Sequence, residues 1–234
     1  MEQAGAFLTT AESVVFQLLK DSKHPNFRAC SKKCVLRARS QFSKIKPPSK
    51  VLRLNTSNDF KFKEFERMFR KISNGTVVAL ERTKIDLREI DAAPSMVVAQ
   101  KATSAGENVL IEDTSLDVDG ADVGVNVRWI MDNLNDLVGR AATWRVLLGV
   151  LRAGRVHIYE GITRGTIVSK RGDSAFGFDP VFQPMGSTET LAESKPDEIN
   201  ARFKAVRAML GNYPSAIHVP IKEDEWGGAW QSEH

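Results

Sequence analysis

Apolar positions recur every three to four residues in some stretches of this chain and run almost unbroken in others. Phe7, Leu8, Val14, Val15, Leu18 and Leu19 fall at helical spacing and predict a short amphipathic helix over 1–21. Residues 22–50 are basic and Ser-rich and close on "KPPSK", which reads as a linker. From Val51 the pattern alternates between strand and helix, as expected of an α/β domain. "VLRLN" reads as a strand. A helix follows from about Asp59, with Phe62, Phe65, Met68 and Phe69 on one face. "TVVALE" predicts a second strand, and Pro94 opens a helix through Ala105. "NVLIED" predicts a third strand that ends in its carboxylates. "VRWIMDNLNDLV" and "AATWRVLLGVLRAG" read as helices, and "RVHIYEGITRG" with "TIVSKRG" as a strand pair joined at Gly165. A last helix is expected from about Pro196 to Leu210. The tail "HVPIKEDEWGGAWQSEH" shows no clear period. The expected organisation is an N-terminal helix with basic linker over 1–50, a domain over 51–213 and a tail over 214–234.

Composition adds limits. The 234 residues suffice for one sizeable core, or for one domain with extensions. No apolar run approaches the roughly 18 residues of a membrane span. Glu2 and Glu12 interrupt what would be a signal peptide or an acid-free transit peptide. These features predict a cytoplasmic protein, with organelle targeting by the basic arm as the lesser reading. Cys30 and Cys34 form a C-x3-C pair without a second Cys/His pair nearby, which predicts reduced thiols rather than zinc. Between Asp21 and Asp59 lie ten basic residues and no acidic one; taking these from the net charge of +4 leaves −6 for the rest. The basic balance therefore belongs to an arm, which reads as a solvated tail or as an RNA or phosphate contact, and not to the body.

Four stretches hold candidate chemistry. In "LNTSNDFKFKE" a strand ends in small polar residues and a helix begins at once. Thr56, Ser57 and Asn58 could cradle phosphate oxygens at that helix N-terminus, with Lys61 reaching the same anion; a plain Asn or Ser cap is the other reading. In "VLIEDTSLDVDG", Glu112 and Asp113 are adjacent, with Asp117 and Asp119 behind. Alternation need not put Glu112 and Asp113 on one face, but at a strand end they could converge on a hard cation, with Glu89 from a neighbouring loop. Surface acids in turns are the alternative. Lys101, Arg128, Lys195 and Arg202 could complete a triphosphate clamp, or each could be a solvated helix-face cation. In "SAFGFDPVFQP", Phe176 could stack on a base and Asp179 read its edge, or the stretch could be a core strand.

Taken in order, these pieces resemble the inosine triphosphate pyrophosphatase family, the non-canonical purine nucleoside triphosphate pyrophosphatases, over about Val51 to Tyr213. "TSNDFKFKE" is similar to the family's T-G-N-x-x-K-x-x-E, "KIDLREI" to K-I-D-L-x-E, and "VLIEDTSL" to E-D-T-S/C-L. "EGITRGTIV" is similar to x-G-x-x-x-G-x-I-V, and "FGFDPVFQP" to F-G-[WFY]-D-P-x-F. The resemblance implies an elongated mixed β-sheet flanked by helices, in two lobes with a central cleft, and commonly a homodimer. It implies phosphate binding by Thr56, Ser57, Asn58 and Lys61, and Mg²⁺ held by Glu89 and Asp113. Asp113 would orient the attacking water, with Glu112 beside it. Lys101, Thr114, Arg128, Lys195 and Arg202 would contact substrate, and Phe176, Gly177, Phe178 and Asp179 would receive the purine. The implied reaction splits ITP, dITP or XTP into monophosphate and pyrophosphate, cleansing nucleotide pools.

The chain departs from the family pattern at four places. Ser57 stands where the family has Gly. The loop after Gly120 reads "GADVG" instead of Gly-Gly-x-Pro-Gly. The S-H-R triplet reads Asn200, Ala201, Arg202, and Lys195 lies one residue from the family lysine in an ungapped match. These departures leave open a shifted base preference, or a nucleotide-binding protein without turnover whose basic arm contacts RNA or a partner.

Overall fold

The computed structural model describes residues 51–72, 79–121, 127–173 and 177–231. The expected N-terminal helix and basic linker, Cys30, Cys34, Phe176 and most of the "GADVG" loop lie outside the described residues. The strands are β1 (Val51–Asn55), β2 (Ala79–Thr83), β3 (Val109–Val118), β4 (Ala141–Arg152), β5 (Arg155–Ile167), β6 (Phe182–Pro184) and β7 (Ala216–His218). They form one mixed sheet in the order β2-β1-β3-β4-β5-β6, with β7 also on β5. β1 runs parallel to β2 and β3, and β3 through β6 form an antiparallel meander. The helices are α1 (Asp59–Ile72), α2 (Pro94–Ala105), α3 (Val127–Asp132), α4 (Leu134–Leu137) and α5 (Ala201–Leu210).

Period-2 alternation divides the core between two faces of the sheet. Leu110, Trp144, Val146, Leu148 and Tyr159 pack with Phe65 and Met68 of α1 and Ala205, Val206 and Met209 of α5. Val109, Ile111, Leu147, Val156 and Ile158 pack with Val98, Ala99 and Ala102 of α2. Sequence pattern and structure agree on β1, on the start of α1 at Asp59 and on α2. The N-terminal turn of α2 begins at Pro94, where a missing N–H costs nothing.

Several expectations are corrected. "AATWRVLLGVLR" is strand β4, not helix. Helices cover both faces of the sheet there, so both sets of alternating side chains are apolar and the run loses its strand period. "RVHIYEGITRGTI" is one continuous strand, β5, with no turn at Gly165. Its glycines serve close approach instead. A side chain on Gly161 would collide with the carbonyl oxygen of Ala201 on α5, and one on Gly165 with that of Gln183 on β6. The real hairpin turn is Ala153–Gly154, both left-handed with φ of 49° and 71°. "VRWIMDNLNDLV" breaks at Asn133 into α3 and α4. The last helix starts at Ala201, not Pro196, because the Asn200 side chain caps it, accepting from the N–H groups of Arg202 and Phe203. The aromatic stretch is a tight turn: Gly177 is left-handed, Asp179–Val181 is a single 3-10 turn opened by Pro180, and only Phe182–Pro184 is strand. Among the described residues no helix is long and apolar enough to cross a membrane.

Candidate active site

The carboxylates of β3 are not at a strand end. β3 runs five residues past Asp113 to Val118, and alternation therefore sends Glu112 and Asp113 to opposite faces of the sheet. Glu112 follows Leu110 toward α1 and α5, and Asp113 follows Ile111 toward α2. The expected convergence of both on one cation gives way to two sites sharing one peptide bond.

On the first face, α1 begins directly after β1. Asn58 is the helix cap: its Oδ1 accepts from the Lys61 N–H at 3.0 Å, and its own N–H donates to Thr56 Oγ1 at 3.2 Å. Thr56 and Asn58 thus shape the loop, and Ser57 is exposed. Lys61, in the first turn, donates to Glu112 Oε2 at 2.7 Å. Arg202, near the start of α5, reaches the other Glu112 oxygen with Nε at 3.0 Å and Glu64 Oε2 with Nη1 at 3.3 Å. Asn200 donates to the remaining Glu64 oxygen at 2.8 Å. The Glu112 and Arg202 side chains are each only 3% exposed, so this is a buried ion pair. Burial pushes the Glu112 carboxyl up, but Arg202 and Lys61 outweigh it and hold it below its ordinary value. Arg202 itself is held above its ordinary value: burial opposes its charge, and Glu112 and Glu64 prevail.

Trp144 on β4 links this cluster to the turn at Asp179. The Lys195 ammonium lies 4.9 Å and the Arg202 guanidinium 5.5 Å from its ring centroid. Its indole N–H donates to Thr114 Oγ1 at 3.0 Å, and Phe178 packs edge-on at 5.8 Å. Phe178 is buried between Trp144 and Phe182, so it is a wall of this region and not an exposed platform. Lys195 donates to Asp179 Oδ2 at 2.8 Å. Burial raises the Asp179 carboxyl, against Lys195. Lys195 lies in irregular chain before α5. Gly177 is exposed, and Ala201 is fully buried against β5.

On the second face, Lys101 of α2 donates to Glu89 Oε1 at 2.6 Å. Asp113 faces the same group, and its carboxyl is pushed up to about 6: burial acts first, Lys101 opposes it, and Glu112 and Glu89 add to it. Asn55 at the end of β1 organises the approach to Glu89, donating to Ile85 O at 3.0 Å and accepting from the Ile85 N–H at 2.7 Å. No group of three or more His, Cys, Asp or Glu side chains stands ready for a metal among the described residues. The donor set Glu89 and Asp113 nevertheless fits a hard dication. Both offer carboxylate oxygens, and Asp113 carries a buried charge that its neighbours do not neutralise. Arg128 is exposed on α3 and, among the described residues, takes no part in the ion pairs that join the other cations.

Three site residues escape a reading of the sequence. Glu64 lies three residues after Lys61, and that helical spacing could have flagged it. Asn200 precedes an apolar helix as a cap should. Trp144 was hidden by the helical reading of β4. Asn200→Ala removes a cap and one Glu64 bond. It should lower stability by about 1–2 kcal/mol, read by urea denaturation; an unchanged midpoint would refute the capping role.

Comparison with known proteins follows the same segment. The Ham1 family profile matches residues 52–212. The chain is 26% identical over 177 residues to a dITP/XTP pyrophosphatase of Hyperthermus butylicus, covering 69% of this chain and 93% of that protein. It is 32% identical over 154 residues to an inosine triphosphate pyrophosphatase of Yarrowia lipolytica, covering 57% and 82%. A solved nucleoside-triphosphatase / dITP/XTP pyrophosphatase from Mycobacterium abscessus superposes with a TM-score of 0.49 at 23% identity, over 68% of this chain and 98% of that one. The motif order and the family profile agree, and the chain belongs to the Ham1 family.

Proposed function

We propose that this chain hydrolyses non-canonical purine nucleoside triphosphates, ITP, dITP and XTP, to the monophosphate and pyrophosphate with the help of Mg²⁺. The observation that supports it most is the buried Asp113, raised to about 6 beside Glu89 and Lys101 and one peptide bond from the Lys61–Glu112–Arg202 cluster. Glu89 and Asp113 would hold the cation, which when bound supplies positive charge to the phosphate oxygens. Asp113 in its ionised form orients a water and accepts its proton as the water's oxygen bonds to the α-phosphorus. The bond from that phosphorus to the bridging oxygen breaks, and pyrophosphate leaves with the electron pair. Lys61 and Lys101 stabilise the charge that develops on the leaving group. Asp179 and Lys195 read the base edge, with Trp144 and Phe178 as the wall behind them. Their 2.8 Å pairing supplies both an acceptor and a donor, which suits a 6-oxo purine with its ring N–H. This pair favours retained purine reading despite Ala201.

Pyrophosphate release across a panel of ITP, dITP, XTP, ATP, GTP and pyrimidine triphosphates, with and without Mg²⁺, tests the proposal. Turnover should require the cation, and kcat/KM for ITP and XTP should exceed that for ATP by about 100-fold or more. Equal turnover of ITP and ATP would remove the base assignment. Calorimetric binding of ITP without pyrophosphate release would make the chain a binding protein.

A further inference from the structure

The tail holds none of the chemistry above, and the family match stops at residue 212. Its backbone is nonetheless anchored along its length. β7 pairs with β5. The Ile221 N–H then donates to Thr103 Oγ1 at 3.1 Å, and Ser104 Oγ donates to Glu223 Oε1 at 2.7 Å, both on the last turns of α2. The Trp226 indole N–H donates to Ala229 O at 3.0 Å, and its ring lies so close over Gly228 that any side chain there would collide with it. "WGGAW" is therefore a compact turn that needs glycine at 228.

That turn delivers Trp230 into a bridge with Ile90. The Asp91 N–H donates to Ala229 O at 2.9 Å, and the Gln231 N–H to Glu89 O at 2.9 Å. The Gln231 side chain donates to Ile90 O at 3.1 Å, and the Arg88 guanidinium lies 4.3 Å from the Trp230 ring centroid. The tail thus grips α2 just beyond Lys101 and grips the main chain at Glu89, Ile90 and Asp91, so that it holds both sides of the 2.6 Å Lys101–Glu89 pair. The segment it grips, 84–93, holds little regular secondary structure of its own.

We propose that residues 216–231 are a strap that positions Glu89, with Trp230 and Gln231 as positioning residues, and so sets the affinity of the Glu89–Asp113 pair for a divalent cation. The proposal rests on the reading of these two carboxylates as metal-holding. An irregular segment left to itself loses conformational freedom each time its carboxylate binds; a strap that orders it beforehand removes that cost from binding, and acts on affinity more than on turnover.

The test uses the full chain and Mn²⁺ as probe. Trp230→Ala should weaken calorimetric Mn²⁺ affinity about tenfold, while turnover at saturating Mg²⁺ stays within about twofold. Amide exchange at 88–91 should quicken in the metal-free protein, and Trp230→Phe should restore both the affinity and the exchange rate. Unchanged Mn²⁺ affinity beside faster exchange would overturn the proposal, since the strap would then be only structural. A fall in turnover at unchanged affinity would overturn it too. Glu89→Gln separates the premise: unchanged Mn²⁺ affinity there removes the metal reading itself, whereas a loss there beside a wild-type Trp230→Ala sinks the strap alone.

Discussion

Glu112→Ala is expected to destabilise the protein by about 3–5 kcal/mol, lowering its melting temperature by roughly 10 °C. Glu112 is the shared acceptor of Lys61 and Arg202, at 2.7 and 3.0 Å, and neither the carboxylate nor the guanidinium has appreciable access to water. Removing the carboxylate takes away the partner of the Arg202 Nε and leaves its longer bond to Glu64 at 3.3 Å. The large term is the stranded buried charge and not the lost attraction. Glu112→Ala/Arg202→Leu should therefore be more stable than Glu112→Ala alone, which a two-state urea series would read directly. Arg202 and Lys61 hold the Glu112 carboxyl below its ordinary 4.5, so the pair contributes in full above that pH and fades on further acidification. Wild type should lose this increment in acid, and the single variant should have none of it to lose. A cost under about 1 kcal/mol, the level of a surface pair, would mean that the pair is solvated in solution.

Much of the fold was legible where local chemistry and tertiary role coincide. The Asn58 cap, the apolar face of Phe65, Met68 and Phe69, and Pro94 at the start of α2 each say what the backbone then does. The reading failed where tertiary surroundings override local period. β4 is covered on both faces, so Val146, Leu147 and Leu148 are all apolar and the run looks like a buried helix. That misreading concealed Trp144, since nothing suggested that it opposes Leu116 of β3 in a sheet. The glycines of β5 looked like turn residues because close approach by α5 and β6 has no local signature. The tail has no period because its contacts are to distant main chain, at Glu89, Ile90 and Asp91.

The site shows the same division. Motif order pointed to Lys61, Lys101, Asp113 and Arg202, with Lys195 one residue from its motif position, and these residues fall in two clusters. The sequence left open whether Glu112 and Asp113 act together. That depends on whether β3 ends at them or runs through them, and only pairing with β4 as far as Val118 decides it. Their separation onto two faces divides their work. Each Glu112 oxygen is tied to a cation, whereas at Asp113 burial outweighs the opposing Lys101 and Lys61.

Asp113→Asn should therefore move activity and stability in opposite directions. Activity should fall by about 10²–10⁴-fold, the range for removing a positioned base. Stability of the metal-free protein should rise. The folded carboxyl ionises at about 6 against an ordinary 3.8, so holding it charged near neutral pH costs about 3 kcal/mol. A raised carboxyl leaves stability intact below its unfolded value and removes it as pH climbs through the folded one. Between about pH 4 and 6 the metal-free wild type should thus lose ground to the neutral amide, and at pH 7.5 the variant should melt several degrees higher. Activity of the wild type should rise as the folded carboxyl ionises, centred on about pH 6. Added Mg²⁺ should raise the wild type's melting temperature more than the variant's, since the variant keeps only Glu89 of the two carboxylates. Scanning calorimetry at pH 4.5 and 7.5, with and without Mg²⁺, reads all of this. A variant less stable than wild type in metal-free buffer at pH 7.5 would show that Asp113 is satisfied by its own protein neighbours and holds no cation. A variant that keeps its turnover would remove Asp113 from the chemistry.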